Sequence, residues 1–244
     1  MDPVVEALWA QRAELAELLD GLSETEWRAP TRCEGWTVAD VVLHLAQSDE
    51  AAVASVIGNF GGPGGEGLSV DRAAALMVEQ ERSLPIAELS DRWRATGVRL
   101  VGLLDGMDLS TRVQWVAGEL SARTLATTRL AETWIHGTDA AEAVGRELAA
   151  TDRLRLVARL AWRTLPYAFA SAGKTLHAPV AFRLVSPGGE AWDFLPDQPA
   201  LTVIRGPAAD LCAVAARRKD PGQTGLAGEG PDAVDVLALV RTYA

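Results

Sequence analysis

This 244-residue sequence is poor in cysteine and contains no long apolar run. Cys33 and Cys212 are too few for a disulfide framework, so a reducing compartment is expected. No run approaches the roughly 18 apolar residues that a membrane helix needs, and we expect no membrane partner. The N-terminus, Met-Asp-Pro-Val-Val-Glu, lacks both the basic and the apolar segment of a secretion signal. These absences predict a cytoplasmic protein.

Basic charge is also scarce in this chain. The formal net charge is −10, from 33 acidic residues against 23 lysines and arginines. Because no basic stripe is present to neutralise phosphates, nucleic acid is not an expected partner. The hydrophobic fraction of 48% and the charged fraction of 23% are typical of a globular protein. A small molecule is therefore the expected partner.

The first two-thirds of the chain has the apolar spacing of amphipathic helices. Thr37 is the predicted N-cap of the second long helix, and Trp36 just before it can pack onto that helix. Ser121 is the predicted N-cap of a later helix. The last helix of this part should be broken or kinked near Pro166. The predicted helices cover residues 3–20, 38–57, 71–82, 86–105, 121–145 and 151–170.

Residues 58–68 are the most glycine-rich stretch of the chain. Gly62, Gly64 and Gly67 match the pattern G-x-G-x-x-G, which binds dinucleotides only as a turn from a strand into a helix. Because no strand pattern precedes them, we interpret this stretch as a mobile loop or lid.

After Gly173 the pattern changes to short, β-rich segments separated by turn residues. Strands are predicted at 180–185, 191–195 and 200–205, with a further strand at 222–228. Helices should begin at Pro207, ending near Arg218, and at Pro231, ending at Tyr243. The sequence therefore predicts a mainly α protein, with an N-terminal helical bundle over residues 1–173 and a small α+β domain over 179–244.

Glu132 and His136 form the most informative pair in the sequence. They lie four residues apart in an apolar helical run, so both side chains project from one face of the helix. Such a pair can chelate one divalent cation, and a third protein ligand would leave a position open to water or substrate. Of the three histidines, His44 lies in an equally apolar helical run. The alternative is that His44 and His136 are core histidines satisfied by local hydrogen bonds.

Two segments carry a resemblance to a known family. They are Pro30-Thr-Arg-Cys-Glu-Gly-Trp-Thr-Val-Ala-Asp-Val-Val-Leu-His44 and Glu132-Thr-Trp-Ile-His136-Gly-Thr-Asp139. Together they resemble the mycothiol-dependent maleylpyruvate isomerase family, a member of the DinB-like superfamily of metal-binding four-helix bundles. The resemblance covers essentially the whole chain and is closest to a branch described only as metal-binding.

The resemblance implies a DinB-like four-helix bundle followed by a small α+β domain. It also implies that His44, Glu132 and His136 bind a divalent cation, zinc first, with nickel or iron also compatible with this donor set. In mycothiol-dependent members a thiol occupies the open position and loses its proton there. Water in that position would instead give a hydroxide or a Lewis-acid site.

Two carboxylates are candidates for orienting the ligand imidazoles. Asp139 lies at i+3 from His136; the alternatives are a solvated helix face or an ion pair with Arg129. Asp40 lies at i−4 from His44; the alternative is an interaction with the helix dipole in the first turn.

The remaining candidates lie elsewhere in the sequence. Arg217 and Arg218 match the part of the family where an arginine can hold the anionic end of a ligand; the alternative is an ordinary basic helix end. We expect the open metal position to face a cleft between the two domains, with one of these arginines at its rim. Cys33 is interpreted as a buried small residue rather than a nucleophile. His177, after the predicted linker, is interpreted as incidental.

Three functions remain open from the sequence. The first is a metal-dependent thiol transferase or isomerase that uses mycothiol on an electrophilic small molecule. The second is a metalloenzyme without a thiol, in which the cation acts as a Lewis acid in hydrolysis, ring opening or cyclisation. The third is a non-catalytic protein that binds a metal or a ligand. A thiol requirement in turnover separates the first from the second.

Overall fold

The computed structural model describes residues 1–62, 69–116 and 118–242. The chain divides into two compact units, Met1–Leu148 and Ala149–Ala244. Helices dominate the first unit and a small sheet with helices forms the second, so the predicted mainly α architecture with a small α+β part is confirmed. Across the described part of the chain, no helix is both long and apolar enough to cross a membrane.

Four long helices build the first unit. α1 contacts α5 and α6, and α3 contacts the same two helices, so the four close into a bundle with a shared apolar interior. The elements of this unit are α1 (Pro3–Asp20), α2 (Glu24–Trp27), α3 (Val38–Val56), α4 (Val70–Glu81), α5 (Ile86–Asp105), β1 (Arg112–Trp115), β2 (Gly118–Ser121) and α6 (Ala122–Ala143).

The predicted N-caps position the two helices that matter most for the site. The Thr37 side chain accepts a hydrogen bond from the Asp40 amide, and the Asp40 carboxylate accepts one from the Thr37 amide in return. The Ser121 side chain likewise caps α6 by accepting from Thr124 N. These local bonds set where α3 and α6 begin, and therefore which residues face the bundle interior.

The hairpin of β1 and β2 was not predicted from the sequence. Its strands pair antiparallel, with Arg112 opposite Ser121 and Trp115 opposite Gly118. Each strand has only four residues, and Val113 is the one buried side chain in β1. A strand with one buried side chain leaves too little alternation for a period of two to be recognised.

The second unit contains a four-stranded sheet in the order β4-β3-β5-β6. β3 pairs antiparallel with β4, across the predicted turn, and parallel with β5, while β6 pairs antiparallel with β5. The elements are α7 (Leu154–Arg163), α8 (Leu165–Ser171), β3 (Val180–Val185), β4 (Ala191–Phe194), β5 (Thr202–Pro207), α9 (Ala208–Ala215), a 3-10 turn (Pro221–Gln223), β6 (Ala227–Glu229) and α10 (Ala233–Leu239).

The division between the units differs from the boundary expected at 173–179. α7 packs against α9 and β4, and it is therefore part of the second unit although it precedes the strands in sequence. The predicted break near Pro166 separates α7 from α8. Residues 63–68 of the predicted glycine-rich loop, and Tyr243 at the predicted end of the last helix, lie outside the described residues.

Candidate metal centre

α3 and α6 bring the three predicted metal ligands together. Glu132 Oε2 lies 3.4 Å from His44 Nε2 and 3.7 Å from His136 Nε2. One ligand atom from each of the three side chains lies within 4.8 Å of the other two. The pair predicted on one turn of α6 thus faces the histidine of α3 inside the bundle.

The separations suit a single cation. Ligand atoms at about 2.0–2.2 Å from a tetrahedral zinc ion lie about 3.3–3.5 Å from one another. The distances from Glu132 Oε2 to the two Nε2 atoms are close to this value, so the three side chains are placed to hold one cation. The donor set of two imidazoles and one carboxylate leaves coordination positions for water or a substrate.

Burial and neighbouring charges control the ionisation of these side chains. Burial lowers the pKa of His44 and favours its neutral ring. Burial opposes ionisation of Glu132, but its hydrogen bond with His44 and the charge of His136 outweigh this and lower its pKa to about 2. Burial also opposes protonation of His136, but Asp139, Cys33 and Glu132 outweigh it and raise the pKa to about 9. A divalent cation would therefore displace the proton that His136 carries beside the ionised Glu132 carboxylate.

Asp139 and Cys33 hold the other nitrogen of the His136 ring. Asp139 Oδ2 lies 3.0 Å from His136 Nδ1, and its side chain is fully buried. Cys33 Sγ donates to the same carboxylate oxygen at 3.4 Å and lies 4.0 Å from His136 Nδ1. With Nδ1 engaged in this way, Nε2 is the nitrogen that faces Glu132. Sequence reasoning considered this role for Asp139 but gave Cys33 no part in the site.

Trp36 covers one side of the histidine pair. Its ring centroid lies 5.3 Å from that of His44 and 6.5 Å from that of His136, and the two imidazoles meet edge to face at 5.0 Å. The residue predicted to pack on α3 is thus also a wall of the candidate site. The signals in the sequence were its position immediately before the cap of α3 and its place in the first segment that resembles the family.

A buried cluster of charges lies next to the ligands. Asp49 on α3 pairs with Arg12 of α1 and, at 2.9 Å, with Arg129 of α6. Arg129 also donates to Ser48 Oγ at 2.7 Å, and Ser48 Oγ donates to the carbonyl of His44 at 2.8 Å. Arg129 is therefore engaged by Asp49, on the helix opposite, rather than by Asp139. Sequence reasoning missed this cluster because its members are far apart in the chain.

The charge of Arg129 is felt at the ligands themselves. Burial and the contacts among the ligands have the largest effects on the pKa values of His44 and Glu132. The positive charge of Arg129 is a further cause, and it lowers both pKa values.

The other predicted site residues have different contacts. The Asp40 carboxylate accepts hydrogen bonds from Thr37 and Arg82, which corresponds to the alternative role in the first turn of α3. Arg217 and Arg218 belong to the second unit and follow α9. Arg217 is exposed and has a left-handed backbone, with φ of 57°, and Arg218 donates to the Ala216 carbonyl at 2.9 Å.

Comparison with known proteins agrees with the resemblance. Residues 8–141 match the family described as the mycothiol maleylpyruvate isomerase N-terminal domain. The chain is 33% identical to uncharacterized proteins from two strains of Mycobacterium tuberculosis, over 99% of this chain and 95% of theirs. Crystal structures of a mycothiol-dependent maleylpyruvate isomerase and of a mutant match with a TM-score of 0.62 at 20% and 19% identity. They cover 94% of this chain and 96% of theirs, and at such identity the likeness is one of fold.

Fold and site together define a four-helix bundle that carries two histidines and a carboxylate at a candidate metal centre, joined to a small α+β unit. Within that class, the chain belongs to the mycothiol-dependent maleylpyruvate isomerase family.

Proposed function

We propose that this protein is a divalent-metal-dependent enzyme that uses a low-molecular-weight thiol, mycothiol, on an electrophilic small molecule. The thiol either remains attached to the product or is released after an isomerisation. The proposal rests on the convergence of His44, Glu132 and His136 in a chain of this family.

The side chains of this centre suit the binding and activation of a thiol. A divalent cation held by the three ligands would lower the pKa of a thiol at the open position. Asp139 fixes the His136 ring so that its Nε2 stays directed at Glu132. Trp36 covers the edge of the histidine pair and limits the access of bulk water from that side.

The chemistry needs no redox partner. A thiolate that adds to an activated C=C bond converts it to a single bond, which can rotate. Loss of the thiolate then restores the double bond with the other geometry, and the thiol is regenerated. If the thiolate is not lost, protonation of the adjacent carbon gives a stable thioether.

Metal analysis and a thiol-dependence assay test the proposal. The purified protein should bind about one zinc, nickel or iron ion per chain, and the conversion of maleylpyruvate or a related unsaturated acid should require mycothiol. Removing the metal with a chelator should abolish turnover, and adding zinc back should restore it. Full turnover without a thiol would favour the Lewis-acid metalloenzyme, and the absence of bound metal at saturating zinc would refute the metal centre.

We also propose that Arg217 or Arg218 holds the anionic end of the ligand. The left-handed backbone of Arg217 is uncommon for a residue other than glycine, which is compatible with a local role for its side chain. Replacing the responsible arginine by Ala should weaken the binding of maleylpyruvate, a dianion, by about 10- to 150-fold, the equivalent of one charge-assisted hydrogen bond.

Two measurements complete this experiment. Metal content should stay the same in both arginine variants. Lys219→Ala is the matched control, because Lys219 is an exposed cation in the same segment that pairs with Asp210 at 3.1 Å. Unchanged affinity for maleylpyruvate in both arginine variants would show that neither Arg217 nor Arg218 holds the ligand.

A further inference from the structure

Arg129 lies on the same face of α6 as two of the candidate metal ligands. Residues 129, 132 and 136 follow the i, i+3, i+7 spacing of one helical stripe. Side chains at i and i+3 are neighbours, with about 5–6 Å between their Cβ atoms. The Arg129 side chain is only 2% exposed, so water does little to screen its charge from Glu132.

The buried cluster around Arg129 has an excess of positive charge. Two guanidinium groups, those of Arg12 and Arg129, share the single carboxylate of Asp49. Burying ions is costly, and a cluster that served only to join helices could be replaced by apolar residues. The two guanidinium groups and the Asp49 carboxylate together carry one net positive charge, inside a protein whose overall charge is −10.

Rigid contacts hold this charge in place. Arg129 binds Asp49 through Nε and Ser48 through a terminal nitrogen, and Ser48 in turn bonds the carbonyl of His44. The same side chain thus connects α6, which bears Glu132 and His136, with the turn of α3 that bears His44. A guanidinium so fixed can act on the site without any reorganisation when a ligand binds.

We infer that Arg129 is the fixed cation of the candidate metal centre and that it selects an anionic ligand, a thiolate or a carboxylate, for the open position. The inference rests on the proposed function, because it requires a cation at His44, Glu132 and His136. A bound divalent cation would carry two positive charges, which the carboxylates of Glu132 and Asp139 offset, so the net charge of the buried cluster remains. Arg129 then increases the preference of the site for an anion over neutral water.

The comparison of two methionine variants separates charge from packing. Arg129→Met and Arg12→Met each remove one guanidinium from the same buried carboxylate, and each leaves Asp49 paired with the other arginine. Arg129 lies on the ligand-bearing helix, whereas Arg12 reaches Asp49 from α1 and donates to the Trp93 carbonyl at 2.7 Å. The first probe is thiocyanate, whose affinity for the cobalt-loaded protein is measured from the change in visible absorption. The second probe is 2-mercaptoethanol, measured in the same way.

Arg129→Met should weaken thiocyanate binding by at least about 10-fold, because it removes a buried unit charge one helical turn from Glu132. Arg12→Met should reduce the affinity by clearly less than Arg129→Met does, because Arg12 reaches Asp49 from α1 and does not lie on the helix of the ligands. Arg129→Lys keeps the charge and should stay close to the original affinity, and 2-mercaptoethanol should follow the same order as thiocyanate. Equal losses in both methionine variants, no loss in either, or a loss in the lysine variant as large as in Arg129→Met would overturn the inference.

Cobalt content and folding are measured before any anion is added. If Arg129→Met fails to fold, Arg129→Gln replaces it, because its amide can still donate to Asp49 while the charge is absent. A loss of cobalt in Arg129→Met alone would show that Arg129 acts by placing the ligands, which also overturns the inference. If the unmodified protein binds no cobalt or zinc, the proposed function fails together with the inference. If it binds metal and anion and the variants do not differ, only the inference fails.

Discussion

Replacing Glu132 by Gln is expected to lower the affinity of the protein for zinc by about 100-fold or more. The substitution keeps the shape of the side chain but removes the negative charge that lies between His44 and His136. Loss of an outer partner of a metal ligand already costs about 10- to 100-fold in affinity, and a direct ligand should cost more. Zinc affinity is measured by competition with a chromophoric chelator.

Glu142→Gln is the matched control for this substitution. Glu142 lies on the same helix, but its side chain is 52% exposed and pairs with the surface residue Arg32. The histidines offer a second comparison, since His44→Ala should reduce zinc affinity and His177→Ala should not. His177 lies in the second unit, with 70% of its side chain exposed and its ring bonded to Asp232. Equal zinc affinities in the Glu132 and Glu142 variants would show that Glu132 is not a ligand.

Replacing Gly97 by Ala is expected to destabilise the protein by about 3 kcal/mol, the cost of disturbing a buried ion pair. A Cβ atom at Gly97 would overlap the guanidinium of Arg12. That guanidinium is held by Asp49 and by the Trp93 carbonyl, and it stacks 4.5 Å above the Trp93 ring, so it cannot move away cheaply. The melting temperature should fall by about 6–12 °C for a chain of this length.

Gly102→Ala provides the control for helix propensity. Gly102 lies on the same helix as Gly97, but it is exposed and a Cβ there meets no atom within 4 Å. Alanine at this position should leave stability unchanged or raise it by up to about 1 kcal/mol. Thermal and urea unfolding measure both variants. Similar stabilities for the two alanine variants would mean that Arg12 has room to move, and that the buried cluster is not rigid.

The fold was largely readable from the sequence because its signals are local. Thr37 and Ser121 were predicted as caps from one turn of sequence each, and the structure places them there. The bundle helices have apolar spacing over five turns or so, which a period of 3.6 reveals. The short hairpin of β1 and β2 was not predicted, because its two four-residue strands share a single buried side chain and show almost no period.

The candidate site was readable in part for the same reason. The spacing of Glu132 and His136 alone puts both side chains on one face of a helix. Their meeting with His44 was suggested by the resemblance to a family, since 88 positions separate His44 from Glu132. The geometry of that meeting is a property of the contact between α3 and α6.

The sequence by itself determined the bundle, the caps of its helices and the carboxylate and imidazole on one turn of α6. Only the tertiary structure decided that Cys33 and Asp139 share one nitrogen of His136, and that Arg12, Asp49 and Arg129 meet in the interior. Helix periodicity indicates which face of a helix is buried, because the spacing of its apolar residues belongs to that helix alone. It does not record which buried groups meet, because that depends on the packing of helices that are distant in the chain.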